Sequence, residues 1–490
     1  MIHGRFWTLI AVWVPVVALY LAAVGSSAAA VRRLDDAGRG AHAAQHIYHR
    51  WTAGLRLAAV GLFAAGLFLT DWDPMVRSLS WVTAVPGAAD LVLLTPFLAA
   101  AVLIFVGHCR IDCALHQVIL DGPDWRDQPH AEVWTLGQYL NFNLRHHLLV
   151  VAVPMAVILA AFDLSRVYEQ RLNEISRVAW AGEVAPGIAA AAVFLLAPLM
   201  LRYLWPTQPM PAGPLRDRLQ LICRRLGLRY RDILIWRSGG MMINAAVMGI
   251  FGRVRYVMLS DGLLEAMNDA QIEAVFGHEA GHVRHRHIPF FVLFAVCSML
   301  FLSGVIEALR LGVEREMFRL STPAIQGIGG ACVLVFWGLG FGWISRRFER
   351  QADLCGARCV TPTLPEQCSL PCAVHDHDAV ADPDQTDGPV CSTAAAVFTS
   401  ALDRVAVLNG IPPEERSWRH SSIASRVRFL TSLSGDPGRI RRFERQVRRI
   451  KAALLLLGLG GSLVAGAYVW DHPLYGIDRL PRINAETQKR

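Results

Sequence analysis

Two histidines four residues apart, His278 and His282, are the residues whose types and spacing point most directly to chemistry. They belong to the segment His278-Glu279-Ala280-Gly281-His282, and residues at this spacing share one face of a helix, so both imidazoles can bind one ion. Neutral imidazole is a common ligand of Zn²⁺, and a catalytic zinc keeps one position open for water. Glu279 would lie beside that water and accept its proton. The spacing therefore predicts a zinc-dependent hydrolytic site; the alternative is a solvated helix with two surface histidines.

The residues before the motif favour a helix. Asn268 or Asp269 is the expected N-cap, and apolar residues recur at helical spacing from Ile272 to Phe276. Because no helix breaker follows before Pro289, we expect this helix to run directly into the next apolar segment.

The composition is that of a multi-pass membrane protein. Of 490 residues, 53% are hydrophobic and only 18% are charged, as expected for a chain with many spans. The ten cysteines in so long a chain do not indicate a disulfide scaffold. Eight apolar runs qualify as spans, at residues 6–25, 55–70, 88–107, 147–163, 184–205, 289–311, 323–344 and 452–470. We expect the first to be an uncleaved span, although Ala28-Ala29-Ala30 could mimic a signal-peptide cleavage site.

The arginines decide the expected orientation. The net charge of +8 comes almost wholly from arginine, because Lys451 and Lys489 are the only lysines. Arginines concentrate in the large polar segments 206–288 and 345–451, so the positive-inside rule puts both in the cytoplasm and both termini outside. This distribution favours membrane orientation over nucleic-acid binding, and we expect no nucleic-acid partner.

A zinc site of this type needs a third protein ligand, and membrane topology selects it. The extended motif with a third histidine is excluded, because position 288 is Ile. Glu307 would lie about 37 Å from His282 along a continuous helix, across the bilayer. Glu314 and Glu316 would also lie on the far side, so the next acidic residue is Glu349, directly after the seventh predicted span. Asp353, one turn later on the same face, could accept the free N–H of a ligating histidine; the alternative for this pair is a solvated charged face.

Short strands are expected before the motif helix, at 232–236, 242–248 and 255–259, with a turn at Gly239-Gly240. Together with the predicted helix they would form a small cytoplasmic domain of α+β type.

The motif, followed after two spans by Glu349-Arg350-Gln351-Ala352-Asp353, resembles the membrane-embedded zinc metalloendopeptidases, the family of the CAAX prenyl protease and of HtpX. Asn244-Ala245 is similar to the edge strand with which that family binds substrate backbone. The segment from His420 to Arg426 is similar to its late His-Pro-x-x-x-x-Arg segment, with Ser421 where proline is usual.

The resemblance implies a role for each matched residue. One Zn²⁺ per chain would be held by His278, His282 and Glu349, and Glu279 would be the general base. His420 would donate a hydrogen bond to the developing oxyanion and Arg426 would support the site. From the residues alone, His420 would be a surface histidine.

The fold class that follows is a mainly α, polytopic membrane protein of about eight transmembrane helices with a small cytoplasmic α+β, zincin-like metalloprotease domain. Its expected parts are an N-terminal membrane region of five spans, the first half of the protease domain, a transmembrane hairpin, the second half, and an extra final span with its tail. Their ranges are 1–205, 206–288, 289–344, 345–451 and 452–490.

The expected function is hydrolysis of peptide or protein substrates in a lipid bilayer. Arginine-rich, lysine-poor usage indicates a GC-rich bacterial genome, which favours a quality-control protease of the bacterial inner membrane that acts on membrane or misfolded proteins at the cytoplasmic face. Three alternatives remain: a CAAX-type prenyl-peptide protease, a catalytically silent zinc-binding scaffold or chaperone, and a transporter. Few ionisable residues lie in mid-span, which disfavours the transporter.

Residues 359–400 form an insertion that the named relatives lack. A second metal site is one interpretation of its cysteines and histidines, which with their flanks are Cys355, Cys359, Cys368, Cys372, His375, His377 and Cys391. The segment is rich in Pro, Asp and Thr and lacks Cys-x-x-Cys pairs, so a mobile loop is favoured. The basic stretch from Arg439 to Lys451 is expected to contact anionic lipid headgroups.

Overall fold

The computed structural model describes residues 2–35, 40–120, 134–176, 181–240, 242–317, 319–360, 388–409, 411–415 and 418–471. The α-helices are α1 (Ile2–Asp35), α2 (Gly40–Leu69), α3 (Trp72–Arg77), α4 (Ser80–Thr83), α5 (Ala88–Leu93), α6 (Thr95–Leu120), α7 (Leu136–Asn143), α8 (Leu149–Val167), α9 (Glu169–Ser176), α10 (Ala181–Leu204), α11 (Pro214–Arg225), α12 (Asp261–Ala266), α13 (Asp269–Arg284), α14 (His287–Glu314), α15 (Thr322–Phe336), α16 (Gly342–Val360), α17 (Ser392–Leu408), α18 (Ile423–Leu433) and α19 (Pro437–Asp471). π-Helical turns, Leu144–Leu148 and Trp337–Phe341, connect α7 to α8 and α15 to α16.

Eight helices of the described residues are long and apolar enough to cross a membrane, as predicted. They are Arg5–Leu34, Tyr48–Leu69, Thr95–Leu115, Leu136–Val167, Val184–Leu204, His287–Glu314, Gly327–Val360 and Pro437–Ala467. The third begins later than predicted because Ala88–Leu93 is a separate short helix. The basic stretch after Arg439 and the last apolar run form one continuous helix, α19. The part of the insertion from 361 to 387, with Cys368, Cys372, His375 and His377, lies outside the described residues, as does the tail after 471.

The chain divides into two compact units, Met1–Glu279 with Ser400–Pro413, and Ala280–Thr399 with Glu414–Arg490. In the membrane part of the first unit, α1, α2 and α6 pack around a common core of Val16, Leu19, Ala23, Leu55, Ala59, Ala100 and Ile104. A Cβ at Gly107 of α6 would lie 2.7 Å from the Cβ of Ala23, so glycine is what permits α1 and α6 to approach this closely.

The first unit also contains a four-stranded sheet of β1 (Thr207–Pro209), β2 (Asp232–Trp236), β3 (Ala245–Met248) and β4 (Tyr256–Ser260). Its order is β1-β2-β4-β3. The two central strands are parallel, and each outer strand is antiparallel to its neighbour. The three predicted strands are confirmed, with β3 beginning three residues later than expected. Sequence patterns did not predict β1, which is short and ends in proline.

The turn after β2 is closed by one carboxylate. Gly239 and Gly240 adopt positive φ angles of 68° and 79°, which glycine tolerates best. The side chain of Asp261 accepts hydrogen bonds from the backbone N–H groups of Ser238 and Gly239, at 2.9 Å and 2.8 Å. Asp261 begins α12 directly after β4, so the end of the sheet is tied to the helices that follow it.

The second unit is built from α14, α15, α16, α18 and α19. At Gly458 of α19 a Cβ would lie 2.6 Å from a methyl carbon of Leu293, so the glycine lets that side chain of α14 pack directly against α19. The helix α16 is buried from Gln351 to Val360, and both Glu349 and Asp353 are buried. The alternative of a solvated charged face for these two carboxylates is therefore wrong.

The motif helix does not run directly into the sixth span, so that expectation is also wrong. α13 ends at Arg284 and α14 begins at His287, because Arg286 adopts a left-handed φ of 55° that interrupts the helix. The predicted start is confirmed. Asn268 accepts a hydrogen bond from the N–H of Gln271 at 2.9 Å, and the Gln271 side chain accepts one from the N–H of Asn268 at 3.2 Å.

Candidate metal centre

The three predicted ligands come together. One ligand atom from each of His278, His282 and Glu349 lies within 4.8 Å of the others. The Nε2 of His282 lies 3.6 Å from the Oε1 of Glu349, whereas two ligands of a tetrahedral zinc would be about 3.4 Å apart. Two imidazoles and a carboxylate are also a donor set found at catalytic zinc sites. The residues therefore fit the metal that the motif predicts.

The packing of α13 on α16 explains how Glu349 reaches this position. A Cβ at Gly281 would lie 2.8 Å from the Cβ of Cys355 and 3.2 Å from the Cα of Ala352. Contacts at these distances would force the neighbouring backbone to move. Glycine between the two histidines thus permits a close approach of the two helices, with Glu349 one turn before Ala352 on α16.

The second histidine is oriented by a residue that the sequence did not identify. The Nδ1 of His282 lies 2.9 Å from the Nδ1 of His287, the first residue of α14. The Nε2 of His287 lies 3.0 Å from the Oε1 of Gln351, and the His287 ring stacks on Phe348 at 4.3 Å between centroids. Lys451 donates to the same Gln351 oxygen at 3.1 Å. His287 is fully buried, so its ring position is fixed by these contacts.

This chain of contacts determines where the hydrogens lie. The amide oxygen of Gln351 only accepts, so the Nε2 of His287 carries the hydrogen. The Nδ1 of a neutral His287 then accepts, and the Nδ1 of His282 donates to it. The Nε2 of His282 consequently presents its lone pair towards Glu349, which is the tautomer that a metal ligand requires.

Asp353 and Arg426 form a buried ion pair. The Nε of Arg426 donates to the Oδ2 of Asp353 at 2.9 Å, and its Nη2 donates to the other oxygen. Asp353 is fully buried and Arg426 is 8% exposed. Arg426 lies on α18, so this bidentate pair ties α18 to α16 one turn after Glu349. The role of Asp353 as acceptor for a ligating histidine stays a prediction.

His420 contacts the carboxylate ligand. Its Nδ1 lies 3.1 Å from the Oε2 of Glu349, and its side chain is 46% exposed. The next residue, Ser421, adopts a left-handed φ of 64°, and Ser422 caps α18 by accepting from the N–H of Ser425 at 3.3 Å. This turn places His420 beside the candidate centre, and its role towards an oxyanion stays a prediction.

Asn244 and Ala245 lie at the start of β3, an outer strand of the sheet. The N–H of Asn244 donates to the Oγ of Ser260 at 3.0 Å, and its carbonyl accepts from the N–H of Ser260 at 3.0 Å. In the antiparallel pairing of β3 with β4, Ala245 lies opposite Leu259. The backbone N–H and C=O groups of every second residue of β3, beginning with Ala245, therefore face away from β4. The predicted edge strand is present.

Eight candidate spans and a His-His-Glu cluster define the class: a multi-pass membrane protein with a candidate metal centre. Residues 212–368 match peptidase family M48, which confirms the resemblance drawn from the motifs. Protease HtpX homologs are among the similar curated proteins. That of Pyrobaculum calidifontis is 28% identical over 168 residues, 34% of this chain and 47% of its own length.

Two further relatives carry the same name. The homolog from Archaeoglobus fulgidus is 30% identical over 172 residues, 34% of this chain and 48% of its own. The homolog from Bordetella avium is 28% identical over 159 residues, which are 29% of this chain and 52% of its own length. The chain thus spans about half the length of the curated relatives it matches. The crystal structure of S. mikatae Ste24p aligns with 86% of this chain and 98% of its own at a TM-score of 0.47 and 14% identity.

Three residues of the site were missed by sequence reasoning: His287, Gln351 and Lys451. A continuous helix would place His287 about 140° around the axis from His282 and point it away. The sequence does hold one indication of the helix break. Pro289 is favourable in the first turn of a new helix, and α14 begins two residues before it.

Proposed function

We propose that this chain is an integral membrane zinc metalloendopeptidase that hydrolyses peptide bonds of membrane or misfolded proteins at the cytoplasmic face. The observation that carries the proposal is the convergence of His278, His282 and Glu349 within 4.8 Å, with Glu279 adjacent to the first ligand on the same helix. Zinc bound there would act as a Lewis acid on the scissile carbonyl and would lower the pKa of the attacking water.

The residues of the chain account for the remaining chemistry. Glu279 accepts the proton of the attacking water and passes it to the leaving amine. His282 is held in its ligating tautomer by His287. His420, beside Glu349, donates a hydrogen bond to the oxyanion as negative charge develops on it. Arg426 pairs with Asp353 and fixes α18, which follows His420, against α16.

The outer strand β3 is the proposed site for substrate backbone. An extended peptide can pair with an exposed strand edge by main-chain hydrogen bonds, whatever its side chains. The N–H of Ala245 is bonded by the side chain of Asn244 at 2.9 Å, so Asn244 would have to release it to an incoming strand. Such binding suits a protease that acts on unfolded segments of many sequences.

The proposed orientation rests on arginine distribution. The polar segments that hold the centre are rich in arginine, and the loop holding Asp71, Asp73 and Arg77 is not. Positive loops stay on the cytoplasmic side of bacterial inner membranes.

The Glu279→Gln variant tests the catalytic claim. It removes the base and keeps the ligands, so we expect one zinc per chain and cleavage of a fluorescently labelled unfolded membrane protein reduced at least about 100-fold. Glu314→Gln, the same change on an exposed side chain of α14, is the control and should cleave like wild type. Equal cleavage by wild type and Glu279→Gln would overturn the proposal and leave a silent zinc scaffold.

A second assay separates the two substrate classes. Peptides of one sequence, with and without a prenyl group on a cysteine near the C-terminus, are compared with an unprenylated unfolded protein. We expect cleavage of the unfolded protein, with no dependence on the prenyl group. Cleavage confined to the prenylated peptide would instead assign the CAAX-type activity.

A further inference from the structure

The second unit contains a basic cavity that is separate from the metal ligands. It has a volume of about 680 Å³ and is lined by Arg346, Arg350, Glu414, Trp418, Ser421, Ser422, Ser425 and Arg428. Three guanidinium groups and one carboxylate give the lining an excess of positive charge. Three serine hydroxyls add hydrogen-bond donors, so the lining is suited to an anion with several oxygen atoms.

Two of these arginines make no direct ion pair among the described residues, and the carboxylate near Arg350, that of Asp353, is already paired with Arg426. The Nη1 of Arg346 donates to the carbonyl of Trp418 at 2.9 Å, and the Nη2 of Arg350 donates to the Oγ of Ser425 at 3.2 Å. Neither pairs with an acidic side chain among the described residues, and the buried Nε of Arg350 has no hydrogen-bond partner there. Arg428 contacts Glu414 at 3.5 Å, but both side chains are exposed and the pair is weak. Positive charge in the cavity is therefore available to a ligand.

The cavity lies along the candidate span Gly327–Val360, just beyond the last residue of its apolar run. Arg346 follows the predicted end of that span by two residues. The indole of Trp418 donates to the carbonyl of Gly338 at 2.7 Å and its ring lies 5.3 Å from Phe341. Tryptophans concentrate at the level of the lipid headgroups. This position favours a ligand that membranes supply in quantity.

We propose that this cavity, defined by Arg346, Arg350 and Ser425, binds a phosphate group at the membrane surface. Guanidinium groups bind phosphate oxygens in a bidentate manner, and hydroxyls complete the set of donors. The phosphate can come from the headgroup of an anionic phospholipid or from free inorganic phosphate. The site does not depend on peptide hydrolysis, because none of the metal ligands lines it.

The test uses the full chain in detergent, with the Glu279→Gln substitution in every sample so that proteolysis plays no part. Binding of phosphatidylglycerol is measured by native mass spectrometry, with phosphatidylcholine for comparison. Arg346→Gln combined with Arg350→Gln removes two cavity charges. Arg224→Gln combined with Arg231→Gln removes two exposed charges from the first unit, outside the stretch that is expected to contact headgroups, and is the matched control.

We expect the cavity variant to bind phosphatidylglycerol at least about tenfold more weakly and the control to change less than about twofold. Zinc content reports folding; if the double variant loses zinc, Arg428→Gln replaces it, since that side chain is exposed. Inorganic phosphate that displaces the lipid from the chain carrying Glu279→Gln alone, but not from the cavity variant, identifies free phosphate as a ligand. Lack of displacement identifies the lipid. Equal weakening in both variants would overturn the proposal, as would binding of an acidic peptide but not of phosphate.

Discussion

At the scale of single residues, the candidate centre is determined by hydrogen-bond direction as much as by ligand identity. Lys451 and His287 both use the oxygen of Gln351. That arrangement leaves the Nδ1 of His287 as the acceptor for His282. Partners of this kind hold a ligating imidazole in one tautomer and one orientation. The ligand set is thus supported by residues from α14, α16 and α19.

Replacing His287 by Phe should weaken zinc binding. The ring volume is retained, but the Nδ1 acceptor is lost and His282 is no longer held in its ligating tautomer. Loss of such a partner typically costs about 10- to 100-fold in metal affinity, to be measured by competition with a chelator. The control is His285→Phe, whose ring lies 5.8 Å from that of His287. Equal affinity in wild type and His287→Phe would refute the role of His287.

Breaking the Asp353–Arg426 pair should destabilise the fold. Asp353→Asn removes the carboxylate charge that pairs with the buried guanidinium of Arg426. This change should lower the free energy of unfolding by about 3–5 kcal/mol. Asp73→Asn is the control, because its pair with Arg77 is exposed and such pairs contribute about 0–1 kcal/mol. Thermal unfolding in detergent should show a large fall in midpoint for the first variant only. A similar midpoint for both would mean that the buried pair contributes little.

At the scale of elements, two backbone features position the centre: the close approach of α13 to α16 and the break between α13 and α14. The left-handed Arg286 turns the chain so that His287 faces His282. Gly281 removes the side chain that would hold α13 away from α16. Both features concern backbone conformation.

Gly281→Ala should separate the two helices. The new methyl carbon would lie 2.8 Å from the Cβ of Cys355 and 3.2 Å from the Cα of Ala352. Overpacking of this kind lowers the free energy of unfolding by about 1–3 kcal/mol. We expect a lower unfolding midpoint together with weaker zinc binding, because Glu349 lies on the displaced helix. Gly304→Ala on α14 meets nothing within 4 Å and should be neutral. Unchanged zinc affinity in Gly281→Ala would show that the close approach is not required.

Sequence patterns predicted the elements and the convergence of His278, His282 and Glu349 well, for a physical reason. The spacing of His278 and His282 is local, and the predicted alternation of spans assigns Glu349 to the same membrane face. By contrast, the contact between His287 and His282 depends on the φ angle of Arg286, and no regular pattern specifies a single left-handed residue that is not glycine. The strand β1 was missed because three residues carry no periodicity.

At the scale of the whole molecule, the location of the metal centre depends on which side of the membrane each polar segment occupies. The arginine-rich segments after α10 and after the hairpin of α14 and α15 are assigned to the cytoplasm. The residues that link α14 to α15 are assigned to the opposite side.

Cysteine labelling of intact cells tests this orientation. In a chain whose native cysteines are replaced, Glu316→Cys lies in the link between α14 and α15 and Thr431→Cys lies on α18. A membrane-impermeant maleimide should label Glu316→Cys in intact cells and Thr431→Cys only after permeabilisation. The reverse result would put the metal centre outside the cell.

Zinc X-ray absorption of the purified chain measures the proposed ligand set itself. We expect one zinc per chain with two imidazole nitrogens and a carboxylate oxygen as protein ligands. In Glu349→Gln the carboxylate contribution should disappear and zinc content should fall, while Glu314→Gln should match wild type. A wild-type zinc without imidazole ligands, or an unchanged spectrum in Glu349→Gln, would contradict the account.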